Sequence, residues 1–213
     1  MIRLNFATSA PRILCLGAHS DDIEIGCGGT ILRLQDEYPN CCFHWVVFSA
    51  AGERGCEARH AATLFAGEAL PAGPVLKTFR DGFMPFLGAE IKDVFEELKP
   101  ISPDLIFTHT RDDAHQDHRL INQLTWNTFR DHLIFEYEIP KYDGDLGQPS
   151  VFVPLTPSQY ETKVSYLMDA FPSQRVKRWF APDTFRALMR IRGMECNSAS
   201  GYAEAFHCRK IAL

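Results

Sequence analysis

The sequence predicts a three-layer α/β domain, with a mostly parallel sheet of about five to six strands and helices on both faces. Two observations predict it. Short apolar runs, rich in β-branched and aromatic residues, alternate with stripes of helical period through the first two thirds of the chain. Helix-length segments separate the runs, and strands joined in this way pair in parallel through right-handed crossovers.

The first strand is the apolar run RILCLG at residues 12–17, closed by a glycine. Residues 22–35 then turn helical, with Cys27, Ile31 and Leu34 on one face. CCFHWVVFS at 41–49 is a second strand, and Ala58, Ala61, Ala62 and Phe65 mark a second helix. Residues 75–79 form a third, weaker strand. Ile91, Val94, Phe95 and Leu98 give an amphipathic helix that stops before Pro100. LIFT at 105–108 is a fourth strand, residues 120–129 a helix, and LIFEYEI at 133–139 a fifth strand. A Gly/Asp/Pro loop at 142–149 leads to a strand at 151–155. Val164, Leu167, Met168 and Phe171 mark another helix, and Pro182 starts the last one, where proline is tolerated. With no repeat, low-complexity tract or linker, residues 1–213 read as one domain, a core at 1–140 and a C-terminal appendage at 141–213.

Composition narrows the class. The chain has 22 Lys+Arg against 27 Asp+Glu, a net charge of −5, with 46% hydrophobic residues. It is too apolar to be disordered and lacks the basic excess of a nucleic-acid surface. No apolar run reaches the ~18 residues of a membrane span. Neither nucleic acid nor membrane is therefore expected as a partner, and self-association into a homo-oligomer stays open. The seven cysteines (Cys15, Cys27, Cys41, Cys42, Cys56, Cys196 and Cys208) are odd in number and form no C-x-x-C pair. Reduced thiols acting as small hydrophobes in a cytoplasmic protein fit this pattern. The stretch at residues 1–12 has no apolar segment of signal-peptide length.

Two polar clusters carry the chemistry. AHSDDIE at 18–24 follows the first strand and HQDH at 115–118 follows the fourth. If the strand order is 3-2-1-4-5, both lie astride the point where the order reverses, where open α/β sheets bind ligands. His19, Asp22 and His118 can supply two imidazoles and a carboxylate, leaving a position open for water, the pattern of catalytic zinc. Asp21 can take a proton from that water, His115 can face a substrate carbonyl, and Asp117 can hold an imidazole in one tautomer. The blander alternative is that Asp21 or Asp22, and likewise Asp112 or Asp113, simply cap the helices that follow.

At these residues the chain resembles the PIG-L/LmbE family of metal-dependent N-acetylglucosaminyl de-N-acetylases, whose pattern is A-H-P-D-D-x-E after the first strand and H-x-D-H after the fourth. The resemblance takes in Gly26, Cys27, Gly28 and Gly29, then residues 51–55 (AGERG) and 80–82 (RDG), and covers about 12–140. YAEAF at 202–206 is similar to the family's C-terminal end. The resemblance implies a Rossmann-like fold, zinc on His19, Asp22 and His118, Asp21 as general base, and His115 stabilising the oxyanion. Ser20 departs from the family's proline, which affects the stiffness of the loop and no ligand.

Further positions have two readings each. Glu24 either braces the metal loop or is a helix N-terminal carboxylate. Glu53, Arg54 and Asp81 either contact substrate or form loop salt bridges. The glycines at 26–29 do not match a dinucleotide fingerprint and suit close helix–sheet packing. His44 and His60 read as ordinary strand and helix residues. Trp45, Trp126 and Trp179 read as core or interface. The basic stretch Arg175, Lys177, Arg178, Arg186, Arg190 and Arg192 reads as a solvated helix face.

The leading expectation is a zinc hydrolase removing acetyl from a small-molecule amino sugar or its conjugate. An amidase for a larger acyl group is the nearest alternative. Iron can replace zinc in a two-His-one-carboxylate site, as in non-haem iron(II) enzymes, which generally sit on β-barrels. A non-catalytic sugar binder would have no need of Asp21 beside the metal.

Overall fold

A computed structural model describes residues 5–211; the first four residues of the N-terminal stretch read above lie outside the described residues. The sheet has seven strands, β1 (Arg12–His19), β2 (Cys42–Ser49), β3 (Val75–Leu76), β4 (Leu105–His109), β5 (Ile134–Tyr137), β6 (Val151–Pro154) and β7 (Ala203–His207), in the order β3-β2-β1-β4-β5-β7-β6. The first five pair in parallel in the expected 3-2-1-4-5 order. The last two extend it antiparallel, β7 lying between β5 and β6.

The helices are α1 (Asp22–Glu37), α2 (Glu53–Ala66), α3 (Gly88–Leu98), α4 (Gln116–Thr128), α5 (Pro157–Ala170) and α6 (Pro182–Glu195). Period-two alternation divides β1 between two cores. Ile13 and Cys15 face one core with α1, α2, α5 and α6, whereas Leu14 and Leu16 face the other with α3 and α4. The appendage packs on the same sheet, where α5 and α6 cover the face that α1 and α2 begin.

β7 is one strand more than expected from the sequence. Its AEAFH is short, and its period-two pattern is broken by a buried acid. Glu204 accepts the N–H groups of Gly29 and Thr30 and the Thr30 hydroxyl, and pairs with Lys163 Nζ at 2.6 Å. A charge that looks solvated in sequence is here a buried tie between β7, α1 and α5.

The basic stretch is solvated in part: Arg175, Lys177, Arg178 and Arg190 are exposed. Arg192 departs from that reading, being 5% exposed and reaching Glu138 Oε2 at 2.7 Å. Arg186 pairs with Glu161, Arg190 donates to the Gly201 carbonyl, and Arg175 donates to that of Met168.

The glycines of α1 serve close packing, as expected. A Cβ on Gly26 would stand 2.3 Å from the Tyr137 ring, and one on Gly28 would stand 2.6 Å from Phe65. Tyr137 cannot yield, because it is buried and its hydroxyl donates to the Leu16 carbonyl at 2.6 Å. Gly26→Ala is therefore expected to lower unfolding stability by about 1–3 kcal/mol, the usual cost of overpacking, despite alanine's better helix propensity. Urea denaturation measures this, and an unchanged midpoint would contradict the packing account.

Candidate metal centre

The sheet brings the two clusters together. β1 and β4 are hydrogen-bonded neighbours, with Cys15 opposite Phe107, so the turns at their carboxyl ends open onto one cleft. β1 delivers His19 at its last position, and α1 opens with Asp22, a carboxylate favoured at the positive end of a helix. His115 is the N-cap of α4, which places Asp117 and His118 in its first turn. Asp21 stands at the N-cap of α1 but makes no capping bond; its carboxylate turns to Arg54 Nη2 at 2.8 Å.

The donor atoms of His19, Asp22 and His118 converge. His19 Nδ1 lies 3.1 Å from His118 Nε2 and 3.4 Å from Asp22 Oδ2, and His118 Nε2 lies 3.5 Å from Asp22 Oδ1. Donors at 2.0–2.2 Å from a tetrahedral ion stand about 3.4 Å apart, so these edges fit zinc. Each imidazole is also held from behind, as metal-binding histidines are. Asp113 Oδ2 is 2.9 Å from His118 Nδ1, while Asp117 and Asp81 lie 3.3 and 3.0 Å from His19 Nε2.

Other donor groupings overlap this one: His19, His115 and His118; His19, Asp81, His115 and Asp117; and Asp22, His109 and His118. All three include His109 or His115, each of which has one ring nitrogen already engaged. His109 Nε2 takes the Ala18 N–H at 3.0 Å, and His115 Nδ1 takes the Asp117 N–H at 3.2 Å. Asp81 and Asp117 meet His19 at Nε2, on the side away from His118 and Asp22. In the trio, Asp22 Oδ2 accepts the His19 backbone N–H at 2.6 Å, while Asp22 Oδ1, His19 Nδ1 and His118 Nε2 face one another.

Charge states agree with a cation site. Burial lowers the His118 pKa to about 4, with the His109 charge adding to the effect, so its imidazole is neutral as a ligand must be. Burial would also lower His19, but Asp117, Asp22 and Asp81 outweigh it and hold its pKa well above the usual value. In the metal-free chain a proton on His19 supplies the positive charge these carboxylates demand. Burial would raise Asp22, and His118 and His109 reverse this, keeping it well below the usual carboxylate range. Asp21 goes the other way, raised by burial against the pull of Arg54.

The cleft holds about 530 Å³ and is lined by His19, Asp21, Asp22, Arg54, Asp81, His115 and His118 among others. Arg54 forms the expected salt bridges, to Asp21 and Glu57, and lines the cleft. Asp117 is fully buried behind His19, accepting the N–H groups of Gly82 and Met84. Glu53 is exposed in the first turn of α2, away from the cleft wall. Glu24 is fully buried and neither oxygen has a hydrogen-bond partner, so it braces the loop through no hydrogen bond; burial pushes its carboxyl well up, toward the neutral form. Trp179 lines the cleft, whereas Trp45 is core.

Three contributors escape the sequence motifs. His109 ends β4, is fully buried, and stacks on His118 with ring centroids 3.9 Å apart. Asp113, read as a helix cap, is the carboxylate behind His118. Lys141 Nζ pairs with Asp113 Oδ1 at 3.0 Å and with Asp145 at 2.5 Å, and Asp145 accepts the Ala114 N–H. The Gly/Asp/Pro loop is thereby docked on the metal site. The one available signal was position, since His109 and Asp113 both follow the carboxyl end of β4.

A family model described as PIG-L, GlcNAc-PI de-N-acetylase, matches residues 14–129. No curated protein matches the chain in sequence. Among solved structures, the conserved protein TT1542 from Thermus thermophilus is 20% identical, with a TM-score of 0.75 over 95% of this chain and 96% of that one. N,N'-diacetylchitobiose deacetylase from Pyrococcus horikoshii is also 20% identical, with a TM-score of 0.71 over 93% and 84%. The 4-carboxy-2-hydroxymuconate hydratase GalB from Pseudomonas putida is 17% identical, with a TM-score of 0.75 over 95% and 98%. At these identities the likenesses establish a shared fold.

If Asp113 orients His118 toward an ion, Asp113→Asn is expected to weaken zinc binding by about 10–100-fold while the fold persists. Competition with a coloured chelator, alongside circular dichroism, measures both, and wild-type affinity in the variant would contradict the assignment.

Proposed function

The chain belongs to the PIG-L family, described as GlcNAc-PI de-N-acetylase, and on that premise we propose that it is a zinc-dependent hydrolase removing the N-acetyl group of an amino sugar or its conjugate. One observation carries the reading. A ligand-quality trio, His19, Asp22 and His118, shares its cleft with a carboxylate, Asp21, that Arg54 holds apart from the trio.

A divalent ion bound by the trio lowers the pKa of a water toward about 7 and polarises a carbonyl oxygen. Asp21 takes the proton of the attacking water. Its raised pKa suits a base that must hold that proton and then release it, and positioned acid–base catalysis is worth about 10²–10⁴ in rate. Arg54 fixes the carboxylate's direction through the 2.8 Å contact. Because the Asp117 N–H occupies His115 Nδ1, the neutral His115 carries its proton on Nε2. Burial, aided by the His19 charge, lowers the His115 pKa and favours that neutral form. Its Nε2–H is then free to donate to the oxygen that gains charge as the carbonyl is attacked. As the C–N bond breaks, the proton held by Asp21 passes to the nitrogen, giving acetate and a free amine.

The cleft also has room for an acyl group larger than acetyl, so the size of the released acid is part of the test. Iron can occupy the same trio, although the surrounding architecture is the α/β sheet of the hydrolase reading. Asp21→Asn is expected to keep one equivalent of zinc and lose about 10²–10⁴ in kcat. His118→Ala is expected to lose the stoichiometric metal. Acid release from N-acetyl and N-butyryl glucosamine, with metal content measured on the same samples, checks both. Wild-type turnover by Asp21→Asn, or full zinc in His118→Ala, would contradict the roles assigned.

A further inference from the structure

We propose that the cleft recognises an anionic group on its substrate, a phosphate or carboxylate borne by the amino sugar, through Arg80 and Lys177; this rests on the deacetylase reading above. Four cationic side chains line the cleft: Arg54, Arg80, Lys141 and Lys177. Two of them are neutralised in place. Arg54 lies 2.8 Å from Asp21 and 2.6 Å from Glu57, and Lys141 lies 3.0 Å from Asp113 and 2.5 Å from Asp145. Arg80 and Lys177 form no ion pair among the described residues.

These two are held by aromatic faces instead. The Arg80 guanidinium carbon is 3.6 Å from the centre of the Phe83 ring, and Lys177 Nζ is 5.7 Å from that of Trp179. A cation resting on a ring is oriented without being neutralised, so its charge remains for a ligand. The carboxylates Asp21 and Asp81 feel the Lys177 charge, but each has a nearer partner. Asp21 is taken by Arg54, Asp22 by the histidines, and Asp81 by His19 Nε2 at 3.0 Å. In a chain of net charge −5, two unpaired cations at one cleft mouth are a local reversal of sign that draws anions.

The placement suits a bifunctional ligand. The acyl-amino end belongs at the floor, beside Asp21 and His115, and the anion belongs at the rim. The half-buried Trp179 also lines the cleft and offers an aromatic face for a sugar ring. Lys177 and Trp179 come from the turn after α5, beyond the 14–129 segment that matches the family model. Only the Lys177 half of the proposed anion site lies in that C-terminal part; Arg80 lies within the matched segment.

The test compares acetate release from N-acetylglucosamine, its 1-phosphate and 6-phosphate, and N-acetylmuramic acid, using zinc-loaded wild type, Lys177→Gln, Arg80→Gln and Lys177→Arg. Both positions are exposed, so the variants should fold. At least one anionic sugar is expected to exceed N-acetylglucosamine in kcat/KM by about tenfold, the worth of one hydrogen bond to a charged group. Each Gln variant should remove most of that preference and Lys177→Arg should keep it. Which anion is preferred separates phosphate from carboxylate. Equal kcat/KM for neutral and anionic sugars, or a preference that survives both Gln variants, overturns the proposal and leaves the deacetylase reading standing. If no sugar releases acetate, that reading fails, and calorimetric binding of the same four sugars decides the anion site. Tighter binding of an anionic sugar, weakened by Lys177→Gln, supports it, and equal or absent binding overturns it.

Discussion

The cleft depends on one pairing, that of β1 with β4 at the place where the sheet's strand order reverses. Their parallel register sets Ile13 against Leu105 and Cys15 against Phe107, so both chains leave the sheet on the same edge and in adjacent lanes. His19 and Asp22 arrive from one, and His109, Asp113, His115 and His118 from the other. Helices cannot cover that edge, because α1 and α4 diverge to opposite faces. The gap they leave is where the polar groups meet.

That meeting carries an electrostatic demand. Asp21, Asp22, Asp113 and Asp117 are all buried within a few residues of one another in space, and buried carboxylates persist as anions only when matched by charge or hydrogen bonds. The structure matches each from a different direction: Arg54 for Asp21, the His19 backbone N–H and ring for Asp22, Lys141 for Asp113, and two backbone N–H groups for Asp117. A divalent cation between Asp22 and the two imidazoles completes the balance that a proton on His19 otherwise provides. The functional reading and the stability of the site are in this sense one argument.

The fold was legible because its central parallel strands, β1, β4 and β5, are almost wholly buried and so read as continuous apolar runs. The candidate site was legible because the groups that converge in it follow strand ends in two short blocks, AHSDDIE and HQDH. What escaped did so for physical reasons. β7 hides a buried Glu204 whose partner, Lys163, is 41 residues away in sequence. Arg192 looks like its neighbours in α6 until Glu138 is seen beneath it. Lys141 lies just before the Gly/Asp/Pro loop, in a stretch with no period, and only the folded chain brings it to Asp113. Long-range ion pairs leave no local pattern, whereas strand-end motifs do.

The central claim is that His19, Asp22 and His118 hold a single divalent ion. Zinc X-ray absorption on protein stripped with a chelator and reconstituted with one equivalent tests it most directly. The account predicts a shell of nitrogen and oxygen only, with scattering from two imidazoles, and loss of one imidazole signal in His19→Ala. Sulfur in the shell, or an unchanged two-imidazole signal in His19→Ala, would contradict it.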